Sequence, residues 1–170
     1  MYTYGFFAGL SGDDFIMRYG NNGRYNDCVL VCENTEVFLK RTFGRIGLAY
    51  DYIPAIEWMK DIESLKEKIC SFIDRGIPVL KKGEGVKGTN YNFLFAYDEN
   101  GELFSITCGD PSSAKTYKLH EMECSFIFID SLPVINDIAA VYRESILQIP
   151  VIMQSRTETG VAFGAQAYRN

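Results

Sequence analysis

A chain of 170 residues, 47% hydrophobic and 14% aromatic, can bury the core of one domain and is too apolar for a disordered segment. Its 17 basic and 22 acidic residues leave a net charge of −5, and no basic run exceeds Lys81-Lys82, which excludes a nucleic-acid surface. No stretch approaches the roughly 18 consecutive apolar residues of a membrane span, which excludes a spanning helix.

In chain order, the segment through Gly9-Leu-Ser-Gly12-Asp-Asp-Phe15 mixes aromatics with glycines and is expected to be partly loop. Asn21-Asn-Gly23 signals a turn, and Asp27 to Cys32 is a short β-prone run. Asn34 can cap a helix with an apolar stripe of Val37, Phe38, Phe43 and Ile46, which Gly47 stops. Leu48 to Ile53 alternates as a strand does and ends at Pro54. From about Asp61 to Arg75 the residues Ile62, Leu65, Ile69, Phe72 and Ile73 recur at helical spacing, with a capping-box pattern at Ser64 and Glu67 and a stop at Gly76. Ile77-Pro-Val-Leu80 follows as a short strand, and Gly83 to Thr89 as a loop.

Asn90 to Tyr97 is an aromatic strand, Asp98 to Gly101 a hairpin turn, and Glu102 to Cys108 the returning strand. Tyr91, Phe93, Phe95 and Tyr97 share one face of it, expected to be the core face. Asp110-Pro-Ser-Ser113 is expected to break the chain, and Cys124 to Asp130, apolar on both faces, to form a central strand. Pro133 opens a helix through Ile149 with Ile135, Ile138, Ala139, Tyr142 and Ile146 on one side, and Pro150 ends it. The last twenty residues are expected to be helical.

The candidate chemical groups are few. Cysteines 28, 32, 70, 108 and 124 form an odd set, and Met1-Tyr-Thr-Tyr-Gly-Phe-Phe lacks a signal peptide's basic region, so reduced thiols and a cytoplasmic location are expected. Cys28-Val-Leu-Val-Cys32 misses the two-residue redox spacing, and no second pair completes a zinc site, so neither a metal nor a cofactor is expected. His120, the single histidine, lies in a turn or helix entry and is a candidate base. The glycines at 83, 85 and 88 precede a strand and not a helix, unlike a dinucleotide-binding loop.

The run Asp74-Arg-Gly76-Ile-Pro78-Val79, then Asn90 to Tyr97-Asp98, then Gly109-Asp110-Pro111 resembles the "Gly-x-Pro-Val, Gly-Tyr-Asp, Asp-Pro" series of papain-like domains related to bacteriocin-processing double-glycine peptidases. It is similar as well to the acyltransferase domain at the N-terminus of butirosin biosynthesis protein H. Gly9 to Phe15 resembles the glycine-rich segment that follows the nucleophile helix in such domains, and Gly164-Ala-Gln-Ala-Tyr168 their helical extension. The resemblance implies a bacterial α+β protein: a papain-like half-sheet of antiparallel strands packed with helices over residues 1–132, and a C-terminal helical extension over 133–170.

In that family a helical cysteine attacks an acyl group, a histidine before "Gly-Tyr-Asp" is its base, and the aspartate of "Asp-Pro" orients the histidine. Asp110 matches the aspartate. The histidine position falls at or near Asn90, whose carboxamide takes no proton, and the nucleophile segment is expected before residue 1. The resemblance therefore implies a non-catalytic domain that binds a peptide or acyl ligand, with a homodimer or partner chain covering the place of the missing N-terminal helix. The alternatives are an active thiol-dependent acyltransferase or peptidase and a small-molecule sensor.

Overall fold

The protein, seen in a computed structural model, is described over residues 4–11, 18–19, 34–83, 91–107, 110–131, 135–154 and 162–163. Numbered along the chain, its helices are α1 (Tyr4–Ser11), α2 (Thr35–Thr42), α3 (Ala55–Trp58), α4 (Ile62–Asp74), α5 (Ile138–Leu147) and α6 (Ile149–Gln154). The strands are β1 (Arg18–Tyr19), β2 (Asp51–Ile53), β3 (Val79–Gly83), β4 (Tyr91–Tyr97), β5 (Leu103–Thr107), β6 (Asp110–Tyr117), β7 (Cys124–Phe128) and β8 (Ala162–Phe163). The chain is thus α+β, and it divides into two compact units, Ala49–Ser131 and Met1–Leu48 with Leu132–Asn170.

The Ala49–Ser131 unit is built on a six-stranded sheet in the order β2-β7-β3-β4-β5-β6, antiparallel throughout. β7 is buried at all five positions because it lies inside the sheet and carries apolar side chains on both faces. Helix α4 buries Leu65, Ile69 and Phe72, spaced four and three residues apart, in one core with Val79, Leu94, Leu103, Phe126 and Phe128. Trp58 of α3 enters the same core, where its Nε1–H donates to the Cys124 carbonyl at 2.8 Å and its ring meets Phe126 edge-on. At the β4–β5 hairpin, Asp98 Oδ1 accepts from the amides of Asn100 and Glu102, and Gly101 takes a φ of 77°, a conformation open to glycine.

In the other unit, α1 packs against α2 and α5. Among the described residues Leu10, Ile46 and Val141 form one buried cluster, with Phe6, Leu48 and Ile135 packed around them, and Ala8, Phe38, Leu39 and Ile152 are buried as well. Asn34 caps α2 by accepting from the amides of Glu36 and Val37, and Gly47 ends the following 3-10 turn at a φ of 65°. Arg41 donates to the Ser11 carbonyl at 2.9 Å, and Arg45 reaches Ser145 Oγ on α5 at 3.3 Å. Strands β1 and β8 pair antiparallel.

Several expectations are corrected. Of the segment expected to be partly loop, residues 4–11 are helical, and 12–15 lie outside the described residues. The cap of α4 is Asp61, whose carboxylate accepts from the Ser64 amide, so Ser64 and Glu67 lie inside the helix. Asp110-Pro-Ser-Ser113 opens the eight-residue strand β6 and does not break the chain; an edge strand tolerates a proline because one side of it makes no ladder. On β4 the buried residue is Leu94, while Phe95 and Tyr97 are exposed, because α4 covers the Leu94 face. On α5 the buried residues are Val141 and Ser145, and Ile138, Tyr142 and Ile146 face outward. Pro150 sits in the first turn of α6, where its missing amide hydrogen is no loss, and residues 162–163 are strand and not helix. The β-prone run 27–32, the turn at 21–23 and the loop at 84–89 lie outside the described residues.

Candidate functional site

Strand β3 alternates, and its inward phase holds Val79 and then Lys81. A lysine in that phase is carried beneath the covered face of the sheet, and Lys81 retains only 7% of its accessible surface. Its Nζ lies 3.8 Å from the centroid of the Tyr117 ring on β6, a cation–π contact between strands three apart in the sheet. Cys124 on β7, opposite Gly83, shares that face and is 2% exposed.

Register extends the site across the sheet. Lys81 pairs with Phe126 on one side and Asn92 on the other; Asn92 pairs with Thr107, and Thr107 with Asp110. Four polar positions therefore stand in one row over β3, β4, β5 and β6. The ladder is irregular between Ser105 and Thr107, where β6 carries extra residues between Lys115 and Asp110.

Burial pushes the Lys81 amine below the ordinary lysine range; Cys124 opposes that shift, and the nearby cation of Lys115 adds to it. Among the described residues neither Lys81 nor Lys115 forms an ion pair. A desolvated amine so placed has two chemical uses, as counter-charge to an anion or, when neutral, as a nucleophile.

The residues singled out in the sequence fare differently. Asp110 opens β6 at the end of the polar row, while Asn90 lies outside the described residues. His120 sits in the 3-10 turn Leu119–Glu121 with its side chain 66% exposed, and its Nε2 lies 3.8 Å from Glu121. Among the described residues no hydrogen bond joins it to a thiol. Cys28, Cys32 and Cys108 lie outside the described residues. Cys70 on α4 is half-buried, and burial followed by the Asp74 carboxylate raises its pKa, which keeps the sulfur protonated. That carboxylate also accepts from the Tyr97 hydroxyl at 2.8 Å, tying α4 to β4 and raising the phenol's pKa.

Sequence reasoning missed Lys81 as a site residue. Its signal is the shared phase of Val79 and Lys81 in a short strand, which puts the cation on the face that holds the valine.

Among the described residues no cluster of His, Cys, Asp and Glu could hold a metal ion, and no helix is long and apolar enough to cross a membrane. No family model matches the chain, and no curated protein or solved structure matches it.

Proposed function

We propose that the chain carries a papain-like domain that binds a peptide or acyl ligand and performs no thiol catalysis. The resemblance runs through the end of α4, β3, β4, the hairpin turn and the head of β6, and an antiparallel sheet with a packed helix is the architecture it calls for. The observation that carries the non-catalytic part is the environment of His120. It is the one histidine in the sequence, it is exposed, and its charge partner is Glu121. A thiol is mostly protonated at neutral pH and needs a neighbouring base or cation to attack. The two described thiols lack that histidine: Cys70 is held protonated, and Cys124 is sealed in the core.

Iodoacetamide labelling of the native chain, followed by mass spectrometry across about pH 5 to pH 9, tests this reading. Labelling that is slow at every cysteine below neutrality, and rises only as free thiols ionise, is the expected result. One cysteine that alkylates fast below neutral pH would overturn it in favour of a thiol-dependent acyltransferase or peptidase.

A further inference from the structure

We propose that two copies of this chain join along β6, edge to edge and antiparallel, so that two six-stranded sheets become one continuous sheet. The proposal goes beyond the papain-like reading and does not rest on it. The sheet of the Ala49–Ser131 unit ends at β2 on one side and at β6 on the other. β2 is three residues long and Pro54 follows it, which leaves little backbone to pair. β6 runs for eight residues, and Lys118 continues it in extended conformation at φ −91° and ψ 134°. In an antiparallel ladder alternate residues turn their N–H and C=O away from the neighbouring strand, so β6 presents a row of donors and acceptors on the side away from β5. Ala114, Lys115 and Thr116 are all exposed, and among the described residues β5 is the one strand that pairs with β6.

The sequence of this strand fits a second copy of itself. A two-fold axis normal to a continuous sheet pairs residues of the same phase, because it keeps each side chain on its own face. An axis at Ala114 sets that small residue against itself, Thr116 against Ser112, Lys115 against Ser113, and Lys118 against Asp110 of the second copy. The strand is acidic at its head and basic at its tail, so this pairing brings unlike charges together once at each end. Moving the axis to Lys115 would set two lysines face to face, and an in-register parallel arrangement would do the same. The exposed lysine therefore fixes the register of the pairing. Lys118 lies 3.9 Å from Glu102 at the surface, an arrangement loose enough to leave its charge to a second carboxylate. One strand pair falls at the small end of specific interfaces, so a dissociation constant of about 1–50 μM is expected, weakening with salt.

Sedimentation velocity of the full chain from about 1 to 200 μM at low salt tests this. A monomer–dimer equilibrium is the expected result, and a chain still monomeric at the top of that range overturns the proposal. Ala114→Lys, at an exposed position, sets two cations on the axis and is expected to weaken the dimer at least about fivefold with an unchanged circular dichroism spectrum. A dimer that survives this change intact uses another surface and overturns the proposal. The sharpest arm exchanges charges between chains. Asp110→Lys and Lys118→Asp should each weaken self-association, yet the two variants mixed should pair, since each then meets its complement at both ends. No gain on mixing refutes the register. A monomeric chain whose β6 amides are protected from exchange only by an added extended peptide assigns the edge to a different occupant and refutes the dimer.

Discussion

The two units reach a core by different means. In Ala49–Ser131 a strand buried on both faces, a helix with a clean stripe and the Trp58 ring meet in one continuous cluster, from Ala55 to Phe128. Among the described residues of the other unit, Leu10, Ile46 and Val141 from three remote segments meet in one cluster and Ala8, Phe38, Leu39 and Ile152 are also buried, while Ile138, Tyr142, Ile146, Leu147 and Val151 stay exposed. The difference lies in how sharply each sequence distinguishes inside from outside. Helix α4 alternates apolar and charged residues, so one face alone suits burial; α5 offers apolar side chains around most of its circumference, and neighbouring segments choose the face.

The comparison breaks most visibly at Trp58. Its ring is 3% exposed, packs edge-on against Phe126 and donates a hydrogen bond to β7. Trp58→Ala is expected to cost about 3–5 kcal/mol in urea unfolding followed by circular dichroism, since it removes the largest side chain of the cluster. A loss under about 1 kcal/mol would mean the sheet unit does not depend on a continuous core. In the other unit the corresponding test is Val141→Ala, with an expected cost of about 1.5 kcal/mol from two methyl-sized groups. Hydrogen exchange would sharpen the contrast: amides of β3 and β7 should exchange more slowly than those of α5.

Lys81 marks the one place where the sheet unit departs from its own pattern. Lys81→Met keeps the apolar stem and removes the charge, and at neutral pH it is expected to raise stability by less than about 1.5 kcal/mol. The sign follows from the lowered pKa. Between the folded value and the higher unfolded one, the unfolded chain binds more protons, so wild-type stability rises with pH in that window. The variant lacks that rise. Its advantage is therefore full below the folded pKa and shrinks as pH climbs through the lysine range, which thermal melts at neutral and alkaline pH would follow. A variant that is less stable at neutral pH would mean that the Tyr117 contact outweighs burial of the charge.

Local features were legible in the sequence because their causes are local. The Asn34 cap, the stop at Gly47, helix 62–74 and the turn ending at Gly101 each depend on residues within a few positions. The strand Cys124–Phe128 was legible too, since apolar residues in both phases suit only the interior of a sheet. What stayed hidden depends on distant partners. Whether Leu94 or the aromatics of β4 face inward is decided by where α4 lies, and β6 exists because β5 offers it an edge despite Pro111. The site divides in the same way. Asp110 was visible as a motif residue, whereas Lys81 became visible only when β6 brought Tyr117 over its amine.

The smallest expected effect isolates the choice of face on α5. Ile146 follows buried Ser145 directly and is itself 59% exposed, so its side chain already meets solvent. Isoleucine and serine have similar helix propensities, and replacing an exposed residue forfeits little transfer energy, so Ile146→Ser should change stability by less than about 0.5 kcal/mol. Val141, five residues earlier on the same helix, should by contrast cost about three times as much for a smaller loss of volume. Urea denaturation of the two variants side by side decides the matter. If Ile146→Ser proved as costly as Val141→Ala, the outward stripe would be covered in solution, and the contrast between a self-contained sheet unit and an open helical one would fail at its helical end.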